Sequence, residues 1–204
     1  MQFFVTGTGT DIGKTYFLEK IARQQQNIKI IKPVISGFNE DDANSDLHRL
    51  LKALGQEPSA KNFDEICLYK FTPPLAPNIA AKISGEEINF DKIVNFCQDK
   101  IITAKNTDQK IYIEGAGGIM TPITDDKTYL DLVLALKIPV ILVSKNYLGT
   151  ISHSLSAIKV LEDSGVKINH IAFNHMRGDE IDPRQNLEIL QNFTKVKIKP
   201  INAF

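Results

Sequence analysis

The chain has 204 residues, 22.8 kDa and 43 % apolar residues, enough for one sizeable core, so a single domain over residues 1–204 is expected. Its 24 Lys plus Arg balance 24 Asp plus Glu, and the pI near 6.9 excludes a broad basic surface for nucleic acid or anionic lipid while leaving room for a local anion site. Apolar runs stay far below the roughly 18 to 20 residues of a membrane-crossing helix.

The opening residues, Met1-Gln2-Phe3-Phe4-Val5-Thr6-Gly7, lack the basic, apolar and cleavage regions of a secretory leader, so a cytoplasmic protein is expected. In that reducing setting Cys67 and Cys97, without CxxC or CxxH spacing, read as free buried thiols. His48, His153, His170 and His175 form no metal-binding cluster, and His153 and His175 read as surface or capping residues.

Along the chain, continuously apolar runs predict buried parallel strands at Gln2 to Thr6, Ile28 to Val34, Lys110 to Glu114, Pro139 to Ser144 and Ile168 to Asn174, with Lys195 to Ile198 a weaker edge strand. Helical spacing lies between them: Phe17, Leu18, Ile21 and Ala22; Leu47, Leu50, Leu51 and Leu54; Phe90, Ile93, Val94, Cys97 and Ile101; Ile151, Leu155, Ile158 and Leu161. Polar Asn39 to Asn44 and proline-rich Thr72 to Asn78 read as loops. The pattern predicts an α/β fold, a P-loop NTPase-like parallel sheet flanked by helices on both faces.

Ligands in such folds sit beyond the carboxyl ends of the strands. After the first strand comes Thr6-Gly7-Thr8-Gly9-Thr10-Asp11-Ile12-Gly13-Lys14-Thr15, a glycine-rich loop opening a helix. There backbone N–H groups can turn toward phosphate, Lys14 can reach the terminal phosphates and the Thr15 hydroxyl can ligate Mg²⁺. Gly7 and Gly13 enclose five residues where the usual phosphate loop has four. The same stretch also reads as a loosened dinucleotide fingerprint, so a nicotinamide-linked oxidoreductase is the alternative. That fold wants an acidic residue at the end of the second strand, where this chain has Lys32.

Glu114 precedes Gly115-Ala116-Gly117-Gly118, where nucleotide-hydrolysing folds place a metal-holding acid. Lys32 stands at a strand end suited to an anionic substrate or a migrating phosphoryl group, and otherwise reads as a surface lysine. Asp46 by its spacing reads as an N-cap or first-turn carboxylate. Asn174 reads equally as a turn residue or as an amide for a purine edge. Lys14 and Lys32, both assigned to loops at strand ends, are expected to be replaceable without unfolding the chain.

Together these residues resemble the dethiobiotin synthetase family: Phe4-Val5-Thr6-Gly7-Thr8, Gly13-Lys14-Thr15, Lys32-Pro33-Val34-x-Ser36-Gly37, Asn44-Ser45-Asp46, Glu114-Gly115-Ala116-Gly117-Gly118, Pro139-Val140-Ile141-Leu142-Val143 and Leu148-Gly149. The long phosphate loop matches that family's own. The resemblance implies ATP- and Mg²⁺-dependent closure of a ureido ring from 7,8-diaminononanoate and CO₂, through a carbamate and a carbamic-phosphoric mixed anhydride. It implies catalytic roles for Lys14, Lys32 and Thr10. Nucleotide contacts are implied for Gly9, Thr10, Asp11, Ile12, Gly13, Lys14, Thr15, Glu114, Gly117 and Asn174, with Asp11 standing where the family usually has Glu. Substrate contacts are implied for Lys32, Ser36, Gly118, Gly149, Thr150 and Ser152, and Mg²⁺ ligation for Thr15, Asp46 and Glu114. It further implies a homodimer in which one subunit's helix start, Leu148 to His153, holds the substrate carboxylate of the other.

The altered tail from Lys197 onward leaves base selectivity open between adenine preference and looser discrimination. Two relatives of the same nucleotide fold serve as rivals. Cobyrinic acid amidase-like enzymes carry a glutaminase domain that this sequence is expected to lack. Partitioning-type switch ATPases normally show a second lysine early in the phosphate loop, absent from Thr8 to Ile12, and often a basic or amphipathic tail, which Asn202-Ala203-Phe204 is not.

Overall fold

The computed structural model describes residues 1–175 and 181–201. Asn202, Ala203 and Phe204, used above against a targeting tail, lie outside them. The strands are β1 (Gln2–Gly7), β2 (Ile28–Ile31), β3 (Val34–Ser36), β4 (Tyr69–Phe71), β5 (Lys110–Glu114), β6 (Val140–Lys145), β7 (Ile168–Asn174) and β8 (Ile198–Pro200). Between them run α1 (Lys14–Gln24), α2 (Asp46–Ala53), α3 (Ala60–Ile66), α4 (Pro77–Ile83), α5 (Phe90–Asn106), α6 (Tyr129–Leu136), α7 (Thr150–Asp163) and α8 (Pro183–Phe193). Six strands form one parallel sheet in the order β2-β5-β1-β6-β7-β8. Val140, Ile141, Leu142 and Val143 are all buried, and because successive side chains point to opposite sides, both faces of the sheet are covered. No helix among the described residues is long and apolar enough to cross a membrane.

The run from Ile28 to Val34 is not one strand. Its first part pairs with β5 as far as Ile31 beside Ile113, and then Pro33, which has no N–H to continue the ladder, releases the chain. The released segment becomes β3, which pairs with β4 in a separate two-stranded parallel sheet. Both Leu68 and Tyr69 donate their backbone N–H to the Pro33 carbonyl at 3.0 Å. The break has a functional consequence: in parallel register the next residue, Lys32, falls beside Glu114.

Three-residue β4 and helices α3, α4, α6 and α8 were not signalled by apolar periodicity. Helix α6 is apolar nearly all round, so it shows no stripe, and its start is set by a capping box between Thr128 and Asp131. The proline-rich loop ends earlier than expected because Pro77 occupies the first turn of α4, where its missing N–H costs nothing. At the sheet edge β8 is shifted to Ile198–Pro200 from the expected Lys195 to Ile198, with Pro200 tolerated on an unpaired side. Helix α7 is rotated relative to its apolar pattern: Thr150, Ser154, Ala157, Ile158 and Leu161 are buried, whereas Ile151 and Leu155 are only partly so. Cys67 and Cys97 are free and buried, and burial pushes both thiols up.

Candidate active site

The phosphate loop springs from β1 between β5 and β6, near the sheet's centre. Gly13 has φ 99°, a left-handed conformation natural to glycine, and a Cβ there would lie 2.4 Å from Asn174 Nδ2. Asn174, at the end of β7, donates from Nδ2 to the Ile12 carbonyl at 3.1 Å and so pins the loop from below. Asp11 also adopts positive φ, at 55°, and sits exposed on the lip beside exposed Thr10. Helix α1 has no side-chain cap and no acidic residue in its first turn, leaving its leading N–H groups for an anion. The Lys14 ammonium folds back to the Gly9 carbonyl at 2.8 Å. Burial, followed by the nearby charge of Lys32, lowers its pKa to about 8.

A charge cluster built on buried Lys32 and Glu114 adjoins the loop. Lys32 Nζ donates to Asp46 Oδ2 at 2.5 Å and to Glu114 Oε1 at 2.8 Å, and the Thr15 hydroxyl donates to the same Glu114 oxygen at 2.8 Å. Lys32 is 4 % exposed and Glu114 is fully buried. Burial opposes the Lys32 charge, but Glu114 and Asp46 outweigh it and raise its pKa. Burial likewise opposes ionisation of Asp46, and Lys32 outweighs it to hold that carboxyl below its ordinary value. Neither the surface reading of Lys32 nor its free replaceability survives: it is an interior ion-pair residue, and Lys14 is the first residue of α1. Asp46 fits its first-turn position, since Ser45 is the α2 N-cap, while its side chain serves the cluster. Glu114 Oε2 is buried and lacks a hydrogen-bond partner among the described residues. With the Thr15 hydroxyl and Asp46 it forms a set of hard oxygens. No group of three or more His, Cys, Asp or Glu side chains suited to a metal occurs among the described residues, so this set suits an ion that takes its remaining ligands from water and phosphate.

A cavity of about 980 Å³ brings together Thr10, Asp11, Gly13, Lys14, Thr15, Lys32, Ser36, Asp46, Glu114 and Gly117. Ser36 Oγ lacks a hydrogen-bond partner among the described residues. A neighbouring cavity of about 510 Å³ is lined by Gly9, Gly118, Met120 and His153 and shares Thr10, Thr121 and Pro122 with the first. Gly117, with φ 66°, and Gly118 are shaped by Thr121, whose hydroxyl accepts the Gly118 N–H at 2.9 Å. That N–H is therefore committed within the turn.

Gly149, Thr150 and Ser152 line neither cavity. They open α7, with Gly149 as an N-cap at φ 99° and Ser152 exposed. The buried Thr150 hydroxyl donates to the Lys145 carbonyl at 2.6 Å and meets Ser144 Oγ at 3.1 Å, while Ser144 meets Ser154 at 2.7 Å. His153 is exposed and pairs with the Tyr147 hydroxyl at 2.7 Å.

Sequence reasoning missed Arg49 and Thr121 on the cavity wall. Arg49 sits between the core residues Leu47 and Leu50 of a helical stripe, a spacing that reads as a solvated face. Thr121 follows the glycine turn by three residues, and only the side chain's return to Gly118 gives it a role.

Several known proteins are similar to this chain in sequence, and others in architecture. Residues 1–199 match a family described as an AAA domain, AAA_26. The ATP-dependent dethiobiotin synthetase BioD of Caulobacter vibrioides strain NA1000 / CB15N is 40 % identical over 197 residues, covering 94 % of this chain and 87 % of that protein. The enzyme of the same name from Caulobacter sp. strain K31 is 43 % identical over 81 % of this chain and 72 % of its own, and that from Methylobacterium nodulans is 32 % identical over 96 % and 90 %. Among solved structures, a ParA family ATPase from Chlorobium tepidum TLS aligns with TM-score 0.52 at 15 % identity over 98 % of this chain and 84 % of that one. The signal recognition particle receptor FtsY from Elizabethkingia anophelis aligns with TM-score 0.56 at 13 % identity, this chain spanning 57 % of its length. Those structures establish the P-loop NTPase-like fold, and the sequence relatives separate the family from the other users of that fold. A chain that matches these synthetases over nearly its whole length, and carries a glycine-rich loop beside a Lys-Asp-Glu cluster, belongs to the dethiobiotin synthetase family.

Proposed function

We propose that this protein is a ligase of biotin biosynthesis that closes the ureido ring of dethiobiotin from 7,8-diaminononanoate and CO₂ while converting ATP to ADP and phosphate. The observation that carries the reading is Lys32, buried between Asp46 and Glu114 next to the phosphate loop. The reaction brings two anions together, and it needs charge neutralisation and alignment more than covalent help.

Lys14 and the N–H groups of Gly9 to Thr15 bind the phosphate tail, and Thr10 flanks the reacting phosphoryl group. Lys32 holds the carbamate formed by one substrate amine and CO₂. The carbamate oxygen takes the γ-phosphoryl group as the bond to ADP breaks. The second amine then attacks the carbonyl carbon of that mixed anhydride, loses a proton and expels phosphate. Ser36 orients the substrate, which its unpartnered hydroxyl supports. Gly117 and Gly118 let both ligands approach the backbone. Thr15, Asp46 and Glu114 would hold Mg²⁺, which when bound neutralises phosphate charge, and the unpartnered Glu114 oxygen fits that role. Asn174, whose Nδ2 is committed to Ile12, offers its side-chain oxygen to an exocyclic base amine.

Gly149, Thr150 and Ser152 act across a homodimer, where the start of α7 receives the substrate carboxylate. The cytoplasm is the proposed compartment. The test is phosphate release from MgATP and bicarbonate with and without the diamine, with dethiobiotin identified by mass. Diamine-dependent release with dethiobiotin formed is expected. Release indifferent to the diamine would point instead to a switch ATPase.

A further inference from the structure

We infer that Arg49 is a third cation of the site, a direct ligand of the nucleotide's phosphate tail. The inference rests on the ATP-dependent reading above. The cavity wall carries Asp11, Asp46 and Glu114 as well as Lys14 and Lys32. Lys32 is held by two of those carboxylates and Lys14 by the Gly9 carbonyl. The incoming phosphate tail is strongly anionic, so a further cation with a free N–H edge facing the cavity would add to Lys14.

Arg49 fits that role by its placement. It lies on α2 one turn after Asp46 and lines the same cavity, whereas its partner Glu19, on α1, does not. Glu19 grips only one side of the guanidinium: Nε donates to Oε1 at 3.1 Å and Nη2 to Oε2 at 2.6 Å. This fork fixes the plane from behind and leaves Nη1 for another acceptor. Nη1 is 4.0 Å from Asp46 Oδ1, beyond hydrogen-bond reach, and makes no hydrogen bond among the described residues. An Nη1 held beside Asp46 and carrying two N–H groups is suited to a phosphate oxygen.

The competing explanation is a strut, an ion pair that merely ties α1 to α2. Arg49→Ala and Glu19→Ala break the same pair, so a strut predicts equal effects from both. Calorimetric titration of the full chain with MgATP separates the two. Arg49→Ala should weaken ATP binding about tenfold or more, the loss of one charge-assisted hydrogen bond, while Glu19→Ala stays within threefold of the parent and both variants lose similar Tm. Arg49→Lys, which keeps the charge and loses the fork, should fall between them and serves if Arg49→Ala fails to fold. ATP affinity within threefold of the parent in the Arg49 variants, or equal weakening in Glu19→Ala, overturns the inference. A parent protein that binds no ATP overturns the reading beneath it.

Discussion

Beyond the carboxyl ends of β1, β2 and β5 the chain buries ionisable groups, Lys14, Lys32 and Glu114, whereas at the end of β6 it buries hydroxyls, Ser144, Thr150 and Ser154. The charged end is assembled from distant parts of the chain: Lys32 and Glu114 are 82 residues apart, and Thr15 and Glu114 are 99 apart. The hydroxyl end is local, its members 6 and 10 residues apart. Charges removed from water are tolerable only with partners held in place, so the charged end depends on the whole sheet register. Neutral hydroxyls need only one or two hydrogen-bond partners each, and a single strand–helix connection supplies them. The charged end thus holds charges already in place for the proposed phosphate chemistry, and the neutral end fixes where a helix begins.

The largest effect expected is on turnover alone. Lys14→Ala should lower dethiobiotin formation by roughly a thousandfold, in line with losing a preorganised charge at the transition state, with Tm nearly unchanged because its ammonium touches only a loop carbonyl. Near-normal turnover would remove Lys14 from the chemistry. Lys32→Ala should also abolish turnover but, unlike Lys14→Ala, should cost about 3 kcal/mol in urea unfolding, since it strands two neighbouring carboxylates. Part of that stability should return in the double variant with Glu114→Gln, and strict additivity would argue against the cluster. Glu114→Gln alone should raise the Mg²⁺ concentration for half-maximal rate about tenfold, equivalent to roughly 1.4 kcal/mol; an unchanged metal dependence would remove Glu114 from the metal set.

At the neutral end Ser144→Ala should cost about 1 kcal/mol, the typical worth of a buried hydrogen bond, and should act on KM for the diamine more than on kcat. A turnover loss matching that of Lys32→Ala would erase the contrast between the two ends. The smallest effect belongs to His170 on β7, whose ring packs edge-on against Phe17 of α1 at 6.2 Å. Burial, followed by Lys199 and Lys197, lowers its pKa from 6.5 to about 4. The unfolded chain therefore takes up a proton below about 6.5 that the folded chain refuses until about 4, so this residue lowers stability as pH falls through that window and has no effect above it. His170→Asn should flatten the acid side of a Tm against pH curve, and an unchanged slope would count against the shift.

The residues themselves announced the parallel sheet, the glycine-rich loop opening α1 and the gathering of candidate residues at strand ends, because those features are local. Apolar runs reveal buried strands, and glycines beside Lys14 and Thr15 reveal a phosphate loop wherever the rest of the chain goes. Resemblance in order and spacing supplied the family. Lys32 read as a strand-end cation, and its burial could not be seen, since that depends on Pro33 ending the β2 ladder one residue beyond the point where Lys32 meets Glu114. Arg49 was hidden for the same reason: a helical spacing says which face is apolar, not which cavity the other face borders. Local pattern determines which elements form, through backbone geometry and the burial of one face. Only the register of strands far apart in the chain decides which buried charges become partners, because an ion pair is a matter of ångströms between groups that the sequence keeps up to a hundred residues apart.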